Sequence, residues 1–267
     1  MDLTITDYFG YKLSPQERMH LIKEAGFKGI AGLLWQDDFD SDYQSFPEYA
    51  VNADLYIENM HGPWRGINDL WDGNKTGQDF TGEILKIIKA CSIYEIPTLV
   101  LHPEHKNRTV CSELPVKFDV GLDRIKRITD EAERLNINVA IENMCRFEYL
   151  DCIFSNIASK RIGFCFDSGH QNIFMPDVDL LTLYKDRLMA LHLHDNDGKE
   201  DWHALPLLGN INWSNIADRL KKIKYNGAIA LEVGNKTLES IKEPGEFLKL
   251  AFDRATRIFN ADNVINN

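Results

Sequence analysis

The chain has 267 residues, 44% of them hydrophobic, and 41 acidic against 30 basic side chains give it a formal net charge of -11. This is the composition of an ordinary globular protein, and it excludes collagen, coiled coil and a disordered chain. No stretch approaches the roughly 20 consecutive apolar residues of a membrane span. The opening Met1 to Asp7 lacks the basic and apolar regions of a secretory signal, so the expected location is the cytoplasm. The acidic balance also disfavours non-specific adhesion to nucleic acid.

Apolar, β-branched runs of strand length alternate with segments of helical period along the chain. The first strand is expected at Leu3 to Thr6. A helix follows, because Ser14-Pro15-Gln16-Glu17 reads as N-cap, first-turn proline and capping-box glutamate ahead of Met19, Ile22 and Ala25. Further strands are expected at Gly29 to Trp35, Leu55 to Met60 and Thr98 to His102. Ile125, Ile128, Ala132 and Leu135 mark one face of a helix before the fifth strand, Asn138 to Glu142. Strands six to eight fall at Ile162 to Asp167, Met189 to His194 and Ala228 to Val233; a terminal helix runs from Pro244 to Phe259, and 260–267 reads as a frayed tail. Eight such βα repeats without a linker predict one domain over residues 1–267, a single (β/α)8 TIM barrel. A doubly wound sheet is the rival, but no G-x-G-x-x-G follows the first strand. The five cysteines form an odd set without a CxxC pair and read as reduced, mostly buried thiols.

A barrel carries its active site at the C-terminal ends of its strands. His61 ends the third strand, His102 the fourth, Glu142 the fifth and Asp167 the sixth, with His170 just beyond. His192 and His194 end the seventh, Asp201 and His203 follow in its loop, and Glu232 ends the eighth. Imidazole and carboxylate together are the ligands of Zn²⁺, Mn²⁺ and related ions, and so many buried carboxylates need a cation to stay ionised. One to three divalent ions, Zn²⁺ or Mn²⁺, are therefore expected. His192 and His194 are two residues apart and face the same way, so spacing leaves open which of them is the ligand. Trp64, Arg65 and Trp71 either line a substrate pocket or pack the third loop, and Lys199 is a candidate to reach a substrate anion. His20 and His105 are expected to be structural. Gly209-Asn210-Ile211-Asn212-Trp213 is too weak to count as a phosphate cradle.

These segments resemble the xylose-isomerase-like TIM barrels, which include sugar epimerases, inosose-pathway isomerases and endonuclease IV-type repair enzymes. The resemblance rests on His-Gly-Pro-Trp-Arg-Gly-Ile-Asn at 61–68, Ile-Glu-Asn at 141–143, Phe-Asp-Ser-Gly-His at 166–170, Asp-Trp-His at 201–203 and Leu-Glu-Val at 231–233, in that order. It implies an epimerase-type metal site of Glu142, Asp167, a strand-seven histidine and Glu232. In relatives that histidine stands three residues before an acid, which favours His192, before Asp195, and also permits His194, before Asp197. An endonuclease-type three-metal cluster would add His61, His102, His170, Asp201 and His203. The arginine that ketohexose 3-epimerases place six residues after the ligand histidine is absent, Gly198 or Glu200 standing there.

Two functions follow as expectations. One is a metal-dependent isomerase or epimerase of a sugar, sugar phosphate or polyol ketone. There Glu142 and Glu232 pass a proton through an enediolate, His170 positions a hydroxyl, and Trp64, Arg65 and Lys199 bind the carbohydrate. The other is a phosphodiesterase acting on abasic DNA, disfavoured by the acidic chain and the scarcity of basic rim residues. A homo-oligomer is left open, and no membrane partner is expected.

Overall fold

The computed structural model describes residues 1–33, 46–105 and 118–259. Eight parallel strands pair in the order β7-β6-β5-β4-β3-β2-β1-β8. They are β1 (Leu3–Thr6), β2 (Gly29–Leu33), β3 (Tyr56–His61), β4 (Thr98–Leu101), β5 (Asn138–Glu142), β6 (Ile162–Asp167), β7 (Leu188–His192) and β8 (Ile229–Leu231). Closure comes just past β7, where Leu193 N–H donates to the Ala230 carbonyl and Glu232 N–H to the Leu193 carbonyl, at 2.9 and 3.1 Å. The result is a (β/α)8 barrel. Three expected strands coincide with observed ones, and the others are shifted or trimmed by one to two residues. Trp35, placed at the end of the second strand, lies outside the described residues, as do Cys111 and the tail at 260–267.

The helices on the outside are α1 (Pro15–Glu24), α2 (Phe46–Asn52), α3 (Lys75–Ile93), α4 (Asp119–Leu135), α5 (Phe147–Asn156), α6 (Ser168–Phe174), α7 (Leu180–Leu183), α8 (Trp213–Lys222) and α9 (Pro244–Phe259). α1 starts as its sequence dictates: Ser14 Oγ accepts from Glu17 N–H, and Glu17 reaches back to Ser14 N–H at 2.9 Å. α4 buries Ile125, Ile128 and Ala132 and ends where Asn136 takes a left-handed turn at φ 60°. Among the described residues no helix is long and apolar enough to cross a membrane. Cys91, Cys152 and Cys165 are free thiols, but Cys145 is disulfide-bonded, which corrects the expectation that all five are reduced.

The strands sort their side chains by alternation. Ile5, Ile30, Leu99, Ile141, Phe164, Leu191 and Leu231 point outward into the main apolar core beneath the helices. Val100, Ala140, Cys165 and Ala190 form a separate small cluster inside the barrel. Two residues on from each, on the same inward face, stand His102, Glu142, Asp167 and His192. Small side chains below thus leave room for a polar layer above. Two register shifts tune that layer. Ile30 pairs with Ile57 but Ala31 with Asn59, so Glu58 is an extra residue in β3, and Phe164 pairs with Leu188 but Cys165 with Ala190, so Met189 is extra in β7. The second shift brings His192 opposite Asp167.

Candidate metal centre

All ten residues expected as metal ligands meet at the C-terminal mouth of the barrel. Glu142 is their hub. It is fully buried, with Oε1 at 3.2 Å from His102 Nε2 and 3.0 Å from His170 Nδ1. Its Oε2 lies 2.8 Å from His192 Nδ1 and 3.5 Å from His61 Nε2. Around this hub are three overlapping groups. His61, His102 and Glu142 form the first, with the two imidazole Nε2 atoms 3.1 Å apart. In the second, His192 Nδ1 sits between Glu142 and Glu232, whose Oε2 is 3.2 Å away. The third joins His170, His194, Asp167, Asp201 and His203 at N···O separations of 3.2 to 3.7 Å.

The strand-seven histidines therefore divide. His192 faces Glu142 and Glu232, whereas His194 Nε2 faces Asp167 Oδ1 at 3.2 Å and its ring stacks on His203 at 4.1 Å.

The donor set fits a divalent cation. Both oxygens of Glu142, Asp167 Oδ2, His192 Nδ1 and both nitrogens of His194 are buried without a hydrogen-bond partner. Such orphaned atoms are costly unless something positive satisfies them. Two ligand atoms each about 2.1 Å from a tetrahedral zinc stand about 3.4 Å apart, and the separations here bracket that distance. His61 Nδ1 lies 2.6 Å from the Gly62 carbonyl, a bond that places its proton there and leaves Nε2 as a lone pair.

The electrostatics agree with this. Burial lowers His102 to about 4, so its ring is neutral and free to ligate. Against burial, His102 and His192 hold the Glu142 carboxyl well below the usual carboxylate range. Also against burial, Asp201 raises His203 to about 10, and Asp167 and Asp201 raise His170 well above its ordinary value. Field that attracts a proton to these nitrogens attracts a metal ion equally.

The residues between the ligands explain why the motifs read as they do. Asn143 locks the ends of β5 and β6 together, donating from Nδ2 to the Asp167 carbonyl at 2.9 Å and accepting Asp167 N–H at 2.8 Å. Asp167 caps α6, accepting His170 N–H at 2.6 Å, which sets His170 beside it. Ser168 Oγ donates to the His194 carbonyl and accepts its N–H, at 2.8 and 3.0 Å. Gly169 is required because a Cβ there would lie 1.9 Å from His194 Cε1. Asp195 is not a ligand. Fully buried, it accepts from the N–H groups of Asn196, Leu207 and Ile211 and from Trp213 Nε1, and so ties down the loop that carries Asp201 and His203. His203 sits in that loop at φ 48°, a strained conformation for a residue with a Cβ.

The ligands open into a cavity of about 400 Å³ whose walls include Tyr8, Trp64, Trp202, His105 and Lys236. Trp64 is thus at the site, with its ring edge-on to His61 at 5.9 Å. Trp71 instead packs the third loop, buried and donating to the Pro103 carbonyl at 2.7 Å. That loop is held by Arg124, whose guanidinium donates to the carbonyls of Asp69, Leu70, Asp72 and Asn74. Arg65 and Lys199, expected against the substrate, are exposed and lie outside the described lining; the cation on the wall is Lys236. His105, expected to be structural, lines the cavity, while His20 pairs with Glu24 on the outer face of α1 at 3.2 Å. Tyr8 and Lys236 carry no motif of their own and are marked only by their place past a strand end, while Trp202 stands inside the Asp-Trp-His segment.

Comparison with known proteins agrees with the fold. An uncharacterized protein of Methanocaldococcus jannaschii is 27% identical over 202 residues, covering 71% of this chain and 68% of its own. A probable endonuclease 4 of Mycoplasma capricolum is 26% identical over 182 residues, 58% of this chain and 59% of its own. Among solved structures, a D-tagatose 3-epimerase-like protein superposes with TM-score 0.78 at 21% identity, covering 98% of this chain and 99% of its own. The IOLI protein, solved with a bound zinc atom, superposes with TM-score 0.76 at 14% identity over 99% and 100% of the two chains. Residues 19–251 match the model of the family described as xylose isomerase-like TIM barrel, and the chain belongs to that family.

Proposed function

We propose that this protein is a divalent-metal-dependent isomerase or epimerase of a sugar, sugar phosphate or polyol ketone. The observation that carries the reading is the placement of Glu142 and Glu232, both on the cavity wall and both within 3.2 Å of the same His192 Nδ1. Glu142, Asp167, His192 and Glu232 would hold the ion, with His61 and His102 beside them. A divalent ion there would supply Lewis acidity to polarise the substrate carbonyl.

The protein's own groups do the proton work. One glutamate takes the proton from the carbon next to the carbonyl and the other returns it, through an enediolate. His170, fixed by Asp201 Oδ2 at 3.3 Å from its Nε2, orients a substrate hydroxyl. Trp64, Tyr8 and Trp202 give the sugar apolar faces to lie against and exclude water. Several neighbours bear epimerase names, D-psicose 3-epimerase and L-ribulose 3-epimerase among them, which supports the reaction class.

A second reading is the endonuclease type of phosphodiesterase. It is favoured by the third group, His170, Asp201 and His203, and by the Mycoplasma relatives. Against it, Lys236 is the sole Lys or Arg among the described lining residues, whereas a bent duplex needs a basic rim.

The test runs both chemistries on one preparation. Metal-loaded protein is incubated in ²H₂O with ketohexoses, their phosphates and inososes, and separately with an abasic oligonucleotide. Deuterium entering the carbon beside a carbonyl supports the isomerase; nicking without exchange replaces it with the phosphodiesterase. Neither activity leaves a metal-binding module.

A further inference from the structure

Beneath the metal centre, two side chains outside the ligand set bear on His192. We propose that Glu58, acting through Asn59, is a positioning residue that fixes which nitrogen of His192 faces the metal centre. The inference deepens the proposed function, resting on its assignment of His192 as a ligand and on nothing about the reaction.

Adjacent residues of a regular strand point to opposite faces, so neighbours such as Glu58 and Asn59 do not normally touch. Here they do, because Glu58 is the extra residue of the bulge in β3 and has no partner in β2. Bulges of this kind re-aim side chains beside active sites. Asn59 Nδ2 donates to Glu58 Oε2. An amide has one donor end and one acceptor end, so committing Nδ2 downward turns Oδ1 toward the ring of His192, 3.5 Å from Nε2. Oδ1 can only accept, which places a proton on Nε2. Nδ1 is then the nitrogen left to face the metal centre, where it meets Glu142 at 2.8 Å and Glu232 at 3.2 Å.

Asn59 is fully buried and Glu58 partly so. Cys165, also against the ring, is kept a neutral thiol by burial, which pushes its pKa upward, so its sulfur is a weaker acceptor for the ring than the Asn59 amide oxygen. Burial likewise pushes the Glu58 carboxyl up to about 7, so a fixed negative charge is not what the arrangement requires. What it requires is an acceptor, and a glutamine in place of Glu58 would still provide one.

The measurement is the Nε2 proton of His192 in ¹⁵N-histidine-labelled protein, assigned with His192→Gln, in the metal-free and Zn²⁺-loaded forms, together with Co²⁺ affinity. In the wild type and in Glu58→Gln, a slowly exchanging Nε2 proton is expected in both forms, with Co²⁺ affinities within about threefold of each other. In Glu58→Leu and Asn59→Leu that proton loses its protection and Co²⁺ affinity falls about 10- to 100-fold, the usual cost of removing a ligand's supporting partner. A wild-type Zn²⁺ form with metal on Nε2 and the proton on Nδ1 overturns the proposal, as does a Glu58→Leu protein with unchanged proton and affinity. The wild-type spectrum decides even where a leucine variant does not fold. If no metal binds, the metal assignment fails on its own, and an unprotected Nε2 proton in the metal-free protein overturns the relay separately.

Discussion

The imidazoles of His61 and His102 meet Nε2 to Nε2 at 3.1 Å at the mouth of the barrel. His61 Nε2 is a lone pair, so a neutral His102 can donate to it from Nε2, and the same two nitrogens stand at the separation of two ligands of one ion. Placing this pair also requires β3 and β4 to be in register, Met60 opposite Leu99, since the two residues are 41 apart in the chain.

Metal content separates the two chemistries. The isomerase needs one ion in the Glu142, Asp167, His192 and Glu232 pocket, and elemental analysis of protein purified without chelator should find about one per chain. His203→Ala, which touches Asp201 but none of those four side chains, leaves that content unchanged. A fall from about three ions to about two on the same substitution would put the phosphodiesterase first.

Glu142→Gln and Glu232→Gln should differ in kind. Each lowers solvent-proton exchange by about 10²- to 10⁴-fold, the usual contribution of a positioned acid or base. Glu142 contacts four histidines and Glu232 one, so Glu142→Gln also loses the ion while Glu232→Gln retains it. Equal metal content in the two variants would contradict this geometry.

Metal binding releases protons. Against burial, Cys165, Glu232 and Glu142 raise His192 well above its ordinary value, so in the metal-free chain the ring holds its proton more tightly than a free imidazole. An arriving ion must displace the proton on Nδ1, and affinity therefore rises with pH between 6 and 8, by about a decade per pH unit for each proton displaced. Calorimetry in two buffers of different ionisation enthalpy counts the protons, and a count of zero contradicts the expectation.

Two residues that bind nothing should still be needed. Asp195→Ala strands three backbone N–H groups and the Trp213 indole, and we expect a loss of about 3 kcal/mol in denaturant unfolding together with loss of the ion at Asp201 and His203, if one is bound there. Gly169→Ala drives a Cβ into the ring of His194, at a cost of about 1–3 kcal/mol. Wild-type stability in either variant would show that the loop and ring have room the structure does not give them.

How much of this was legible in the sequence follows from the range of each interaction. Local signals gave the elements: the Ser14 to Glu17 capping box opens α1, Pro244 opens α9, and period-two and period-3.6 patterns separate strand from helix. The converging side chains were legible too, because a barrel delivers every strand end to one place and unusual polar residues stand at those ends. Arg65 and Lys199 stand off the described cavity lining, because a loop residue's direction depends on the hydrogen bonds that shape its loop, here those of Arg124 and Asp195 to distant backbone.

By itself the sequence determined the barrel and the ten side chains that converge at its mouth, and from their chemistry came the expectation of a cation among them. Those properties follow from alternation and chemistry within a few residues. Only the tertiary structure decided which ligand faces which, that His192 and His194 serve different groups, and that Glu58 lies against Asn59. Those relations depend on strand register, and one extra residue in β3 and one in β7 set it. A shift of one residue turns a side chain from one face of a strand to the other, and no local pattern in the chain records where such a shift falls.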